Sequence, residues 1–187
     1  MIISSGLYKG MKIKTLDSLG TRPTAIKVRQ AVFNSIQYLI ENSSFLDLFA
    51  GSGAVGIEAL SRGAESSTFI ELDRGAYSVL ETNLKEVRRR NPEVIYYSYR
   101  DKVENFLERA SNKVYDFIWA DPPYKDCCSF YDRFNGNILD LLKDKDSYFI
   151  MELAKKDLKE ITDINGSLEL IKVKEYGISA VRFWRKK

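Results

Sequence analysis

Apolar residues recur along this chain in two alternating rhythms. Short runs read as strands at Phe45–Phe49, Thr68–Leu72, Val94–Tyr97, Tyr115–Ala120 and Tyr148–Leu153, with a final pair near Leu168–Tyr176 and Ser179–Trp184. Between the second and third runs, Ala76, Val79, Leu80, Asn83, Leu84 and Val87 recur at helical spacing behind an N-cap candidate at Asp73. That stripe predicts a helix packed on a core. An earlier helix is expected from about Thr24, with Val28, Val32, Ile36 and Leu39 on one face. Strand-like runs alternating with amphipathic segments are the mark of βαβ units, so the pattern predicts an α/β fold with a mainly parallel sheet. The last two runs are separated by the turn region Tyr176-Gly177-Ile178 alone, which predicts an antiparallel hairpin. Upstream of everything, Ile2 to Leu16 reads as a small β-hairpin arm turning around Gly6 to Gly10, followed by a loop at Ser18-Leu19-Gly20.

Length and composition narrow the picture. A chain of 187 residues with 44% hydrophobic content suits one well-packed domain, taken as residues 1–187 with an arm over 1–20. The N-terminus lacks a signal-peptide apolar region and no later run approaches the roughly 20 apolar residues of a membrane span, so a cytoplasmic protein is expected. The cysteines, Cys127 and Cys128, are adjacent, a spacing that fits neither zinc patterns nor a redox pair. There is no histidine, which removes Ser-His triads, Cys-His dyads and His-ligated metals together. The chemistry must run on carboxylates, carbonyls and a bound cofactor.

Two motifs carry that chemistry. In Phe45-Leu-Asp47-Leu-Phe49-Ala50-Gly51-Ser52-Gly53-Ala-Val-Gly56 a strand runs into a glycine-rich turn and then a helix, where a ligand can approach the backbone of an open α/β sheet. With Glu71 twenty positions after Gly51, the stretch satisfies the dinucleotide fingerprint as well as an S-adenosylmethionine site, since both ligands carry an adenosine ribose. Asp47 separates the two: a carboxylate just before the turn suits a cationic amino-acid end and not a pyrophosphate, although a partner for the following helix N-terminus is the rival role. The second motif is Asp121-Pro122-Pro123-Tyr124, at the end of the fourth run. An exocyclic amine of a nucleobase is a poor nucleophile because its lone pair is delocalised into the ring. Asp121 and the Pro122 carbonyl offer two acceptors for its N–H groups, prolines remove competing donors, and Tyr124 offers a stacking face. The bland alternative is a strand followed by a Pro-Pro turn.

The order "TRPT…VR", "LDLFAGSGAVGIEALSRGA", "IELDR", "DPPY" and a late Tyr-Gly hairpin resembles the bacterial 16S rRNA guanine-N2 methyltransferase family, the RsmD-like enzymes, over nearly the whole chain. The block from Lys9-Gly10 through Thr21-Arg22-Pro23-Thr24 to Val28-Arg29 narrows the match. The resemblance implies a Rossmann-like class I methyltransferase with a seven-stranded, mostly parallel sheet and a C-terminal antiparallel hairpin. It implies S-adenosylmethionine as cofactor, with S-adenosylhomocysteine as product. By position, Asp47, Phe49, Ala50, Gly51, Ser52 and Gly53 would line the methionine end, Glu71 and Leu72 the ribose, and Asp101 and Lys102 the adenine. Asp121, with Pro122, Pro123 and Tyr124, would handle the target base beside the cofactor, and Arg22 and Arg29 would meet RNA. An N-cap of a helix over Lys102–Ala110 is the competing role for Asp101. Where the family often has a basic residue near position 2 and an acidic one near 26, this chain has Ile2 and Ile26.

The net charge of +3 decides nothing, so the placement of the cations matters. Lys9, Lys12 and Lys14 interleave with Tyr8 on the arm and suit a single-stranded RNA loop, although lysines guarding a sheet edge would look the same. Arg88-Arg89-Arg90 ends a helix, where the macrodipole and solvation account for it. The expected partner is 16S rRNA or the assembling small subunit, with no membrane, no metal and a monomeric chain. A DNA or RNA adenine-N6 methyltransferase using the same Asp-Pro-Pro-Tyr chemistry is the alternative.

Overall fold

The computed structural model describes residues 1–16, 23–110, 113–123, 127–159 and 167–187. The chain divides into two compact units, Met1–Val103 and Glu104–Lys187. Among the described residues, seven strands make a mostly parallel sheet with a C-terminal antiparallel hairpin, as the hydrophobic rhythm predicts.

The N-terminal unit contains α1 (Pro23–Ser35), β1 (Ser44–Asp47), α2 (Ala54–Ser61), β2 (Ser66–Glu71), α3 (Arg74–Arg90) and β3 (Ile95–Arg100). Its strands lie parallel in the order β3-β2-β1, with Asp47 level with Phe69 and Glu71 level with Arg100. Asp73 caps α3 as predicted, its Oδ1 accepting the Ala76 N–H at 2.8 Å, and Ala76, Leu80, Asn83, Leu84 and Val87 are the buried face. The helix stops at Asn91, before Pro92, with Arg88, Arg89 and Arg90 in its last turn. Helix α1 ends at Ser35, four residues short of Leu39, which is exposed; Ile40 takes the buried place instead.

The arm differs from a simple hairpin. It holds one antiparallel bridge, Ile2 to Lys12, and its turn, closed by the Lys9 N–H donating to the Gly6 carbonyl at 3.1 Å, bonds to α2 as well as to itself. The Leu7 N–H donates to the Ser61 carbonyl (2.7 Å), a group left open at a helix C-terminus, and the Tyr8 N–H donates to the Ser61 hydroxyl Oγ (2.8 Å). Gly6 has φ +81°, and a side chain there would collide with the Ser61 carbonyl. Along the arm Met11 and Ile13 are buried and Lys12 and Lys14 exposed, a strand-like alternation. Ile3, Tyr8, Met11 and Ile13 join Ile57, Leu60, Phe69, Leu80, Leu84 and Val87 in one apolar cluster. The arm is therefore part of the core.

The C-terminal unit contains α4 (Val103–Arg109, whose first residue closes the other unit), β4 (Phe117–Ala120), α5 (Cys127–Leu141), β5 (Tyr148–Ala154), a 3-10 turn (Lys155–Lys159), β6 (Leu168–Tyr176) and β7 (Ser179–Lys186). The order is β4-β5-β7-β6, with β4 parallel to β5 and β7 antiparallel to both its neighbours. Gly177, at φ +59°, makes the hairpin turn. Tyr115 forms an isolated bridge to Leu142, so β4 is shorter than its apolar run. Helix α5 has no counterpart among the expected elements; it buries Phe130, Tyr131, Phe134, Ile138 and Leu141. Tyr131 stacks with Phe149 and Trp184 at centroid distances of 6.4 and 5.2 Å, tying the helix to β5 and β7.

Candidate active site

Because β1, β2 and β3 run parallel, their C-terminal ends bring Asp47, Glu71 and Asp101 into one row within the N-terminal unit. Asp47 is 1% exposed, and its Oδ2 accepts the Gly56 N–H of α2 at 3.1 Å. The rival role, a partner for the helix N-terminus, is thus filled by one oxygen. The other, Oδ1, is buried without a hydrogen-bond partner among the described residues. Burial pushes the Asp47 carboxyl up to about 7, against the Gly56 N–H and, more weakly, the Phe49 N–H, which approaches the carboxylate without making a well-formed bond to Oδ1, and the nearby charge of Glu71 adds to the rise. A buried carboxylate oxygen that lacks a donor is matched by a ligand that brings a cation.

The chain after Asp47 turns through two left-handed glycines, Gly51 (φ +53°) and Gly53 (φ +80°), closed by the Gly53 N–H donating to the Ala50 carbonyl at 2.7 Å. Their side-chain directions differ in consequence. A Cβ at Gly53 would strike Leu80 and one at Gly56 the Phe69 ring, so these two glycines serve packing. At Gly51 the same space is open. Phe49, Gly51 and Ser52 are half-buried around it, and Ala50 and Gly53 are buried.

Glu71 braces the row. Its Oε2 accepts the Gly51 N–H (2.7 Å) and its Oε1 the Asp73 N–H (2.7 Å), so one side chain fixes the turns after β1 and β2. A carboxylate has about four acceptor sites, and these two bonds leave capacity for hydroxyls. The Asp101 N–H donates to the Glu71 carbonyl at 3.2 Å, and Asp101 Oδ1 accepts the N–H of the adjacent Lys102 at 2.8 Å, just before α4. Leu72 and Lys102 are exposed beside it. A pyrophosphate would meet two carboxylates here, with Gly56, a donor of the α2 N-terminus, already engaged by Asp47; that electrostatics opposes a dinucleotide. The donor set, the orphaned oxygen and the open space at Gly51 fit S-adenosylmethionine.

In the C-terminal unit, Asp121 follows β4 directly, exposed, with Pro122 buried and Pro123 exposed. Tyr124, like Arg22, lies outside the described residues.

The basic groups sort differently from their sequence pattern. Lys9, Lys12 and Lys14 are exposed. Tyr8, the aromatic expected among them at the RNA, is buried, and its hydroxyl accepts from Asn91 Nδ2 at 3.3 Å. Arg29, expected at the RNA, is a correction: it is 4% exposed, 3.5 Å from Glu58, and donates to the Ile2 carbonyl. It lies under the arm because buried Glu58 demands cations, and Arg62 meets the same carboxylate at 2.8 Å. Glu58 also accepts the Ser4 N–H (2.9 Å) and the Ser4 hydroxyl (2.6 Å). Arg89 and Arg90 pair with Glu86, and Arg88 lies 4.4 Å over the Tyr96 ring. Two polar residues organise the arm: Glu58, absent from the sequence reading, and Asn83, which that reading places on the α3 stripe without a role; the signal of both is a polar residue on an otherwise apolar helical stripe.

The family model described as Conserved hypothetical protein 95 matches residues 1–185. The ribosomal RNA small subunit methyltransferase D of Buchnera aphidicola subsp. Acyrthosiphon pisum is 41% identical over 122 residues, 65% of this chain and 62% of that protein, so the match spans less than two thirds of that relative. The putative rRNA methyltransferase YlbH of Bacillus subtilis is 33% identical over 195 residues, covering all of both chains. Among solved structures, the putative methyltransferase yhhF from Escherichia coli matches with a TM-score of 0.80 at 26% identity, over 100% of this chain and 98% of that one.

Proposed function

This chain belongs to the Conserved hypothetical protein 95 family, the family of ribosomal RNA small subunit methyltransferase D, and from that premise we propose that it methylates the exocyclic N2 amine of a guanine in 16S rRNA. The observation that carries the chemistry is Asp121-Pro122-Pro123 placed immediately beyond the C-terminal end of β4, where the ligands of an open α/β sheet bind.

S-adenosylmethionine, when bound, supplies a methyl group made electrophilic by its sulfonium. Asp47 would hold the ammonium of its methionine end through Oδ1, Glu71 and Leu72 the ribose, and Asp101 and Lys102 the adenine. Gly51 lets the backbone come close. Asp121 and the Pro122 carbonyl would accept the two N–H bonds of the guanine amine and orient its lone pair; Tyr124 would provide the stacking face once the base has left its own stack. An amine that has taken the methyl group, with the sulfonium S–C bond broken and S-adenosylhomocysteine left behind, is strongly acidic, so its proton would pass to Asp121 or to water. Exposed Lys9, Lys12 and Lys14, with Arg22, meet the RNA backbone. Among the described residues no helix is long and apolar enough to cross a membrane, and a cytoplasmic enzyme acting during small-subunit assembly is the setting this reading entails.

The test is to incubate the protein with S-adenosylmethionine and unmethylated 16S rRNA, free and as assembled small subunits, digest to nucleosides and identify the product by mass spectrometry. N2-methylguanosine is expected. N6-methyladenosine instead would move the reading to an adenine methyltransferase, and no methylated nucleoside from either substrate would overturn it.

A further inference from the structure

Asn83 is a polar residue in the middle of the buried face of α3, 3% exposed between Leu80, Leu84 and Val87. Every side-chain N–H it has is used, and on two different segments. Its Nδ2 donates to the Ser52 carbonyl at 2.8 Å and to the Lys14 carbonyl at 3.0 Å, while its Oδ1 accepts the Lys14 N–H at 2.9 Å. Toward the arm, the amide therefore imitates a β-bridge partner for Lys14. Toward the glycine turn, it holds the one carbonyl that stands between the two left-handed residues Gly51 and Gly53.

We propose that Asn83 is a positioning residue that links occupancy of the glycine turn to the placement of the lysine-bearing arm, so that cofactor and RNA bind with positive coupling. The inference rests on the cofactor and RNA reading given above. The Ser52 carbonyl sits in the segment that a ligand at Gly51 would immobilise. Any rotation of that carbonyl breaks or remakes an Asn83 bond, and the same amide sets both backbone groups of Lys14, next to the exposed Lys12 and Lys14 side chains. A rigid, fully satisfied amide in a dry setting transmits such a choice because an unmade bond there is costly. Tyr8, whose hydroxyl accepts from Asn91 at the C-terminal end of α3, is a second tie between the arm and that helix. Linkage is reciprocal: RNA held on the arm favours the cofactor-ready turn by the same factor.

The test is hydrogen exchange of the full chain with and without S-adenosylhomocysteine, reading peptides over residues 48–54 and 11–16. In the unsubstituted protein the ligand should slow both, the arm amides about tenfold, an ordinary size for coupling between sites. In Asn83→Ala, and in Asn83→Asp, which keeps the acceptor and loses both donors, the turn should still be slowed and the arm not. Arm slowing that survives in a folded variant overturns the linkage, as does a turn that is slowed in the unsubstituted protein without the arm. If neither peptide slows and calorimetry detects no binding, the cofactor reading itself falls and the linkage with it. A measurement free of substitutions uses a labelled 16S rRNA transcript: affinity should be about tenfold tighter with S-adenosylhomocysteine present, and equal affinity refutes the coupling.

Discussion

Replacing Asp47 by Asn should make the protein without cofactor more stable at pH 8 while impairing cofactor binding. The carboxyl is buried, with one oxygen on the Gly56 N–H and the other unpartnered among the described residues. Burial holds its pKa near 7 in the folded chain, against an ordinary 3.8. Below pH 3.8 the group is protonated in folded and unfolded chains alike and costs nothing. As pH rises from 3.8 to about 7 the unfolded chain releases this proton and the folded chain retains it, so stability falls across that window and levels off above it. At roughly 1.4 kcal/mol for each tenfold change, the gap from 3.8 to about 7 corresponds to about 4 kcal/mol. Asn keeps an acceptor for Gly56 but places an N–H where no partner waits, a cost of about 1–3 kcal/mol at every pH. The variant should thus be less stable than the parent at pH 4 and more stable at pH 8. Urea unfolding followed by far-ultraviolet circular dichroism at pH 4, 6 and 8 measures the difference, and with no histidine in the chain few other groups titrate near 7. Calorimetry at pH 8 should show S-adenosylhomocysteine binding weakened by about 1.5–3 kcal/mol, the loss of a charged hydrogen bond. A stability difference that stays constant from pH 4 to 8 would refute the argument.

Asp121→Ala should lower turnover by roughly 10²-fold or more with little change in S-adenosylhomocysteine affinity; near-normal turnover removes Asp121 from the chemistry. Replacing Lys9, Lys12 and Lys14 together by Ala should leave the fold intact, because their side chains are exposed, and flatten the log–log salt dependence of RNA binding by about 2, at about 0.7 per lost contact. An unchanged slope would make them guards of a strand edge. Glu58→Ala removes the carboxylate that Arg29, Arg62 and Ser4 share and leaves Arg29 buried without it, which should cost about 3–5 kcal/mol in urea unfolding. A loss below about 1 kcal/mol would show that the arm is held by its apolar contacts alone.

The hydrophobic rhythm of the sequence determined the βαβ order, the α3 stripe behind Asp73 and the closing hairpin, because each depends on periodicity or turn chemistry within a few residues. The glycine turn was legible for the same reason: its left-handed positions exclude most other residues. Helix α5 went unread although Phe130, Phe134, Ile138 and Leu141 recur at helical spacing, since aromatic clusters suit strands as well. Leu39 fits the helical spacing of Val28, Val32 and Ile36, but α1 ends at Ser35, before that face reaches it. What a side chain does once folded was decided by partners far away along the chain. Arg29 and Tyr8 carry the composition of RNA contacts, but Glu58 and Asn91 draw them inward across 29 and 83 positions. Asn83 reads as a weak spot in an apolar stripe until Lys14 and Ser52, 69 and 31 positions off, arrive beside it. Local periodicity specifies which face of an element is buried; which buried polar group meets which depends on how the elements pack, and there the cost of an unpaired polar atom makes the choice.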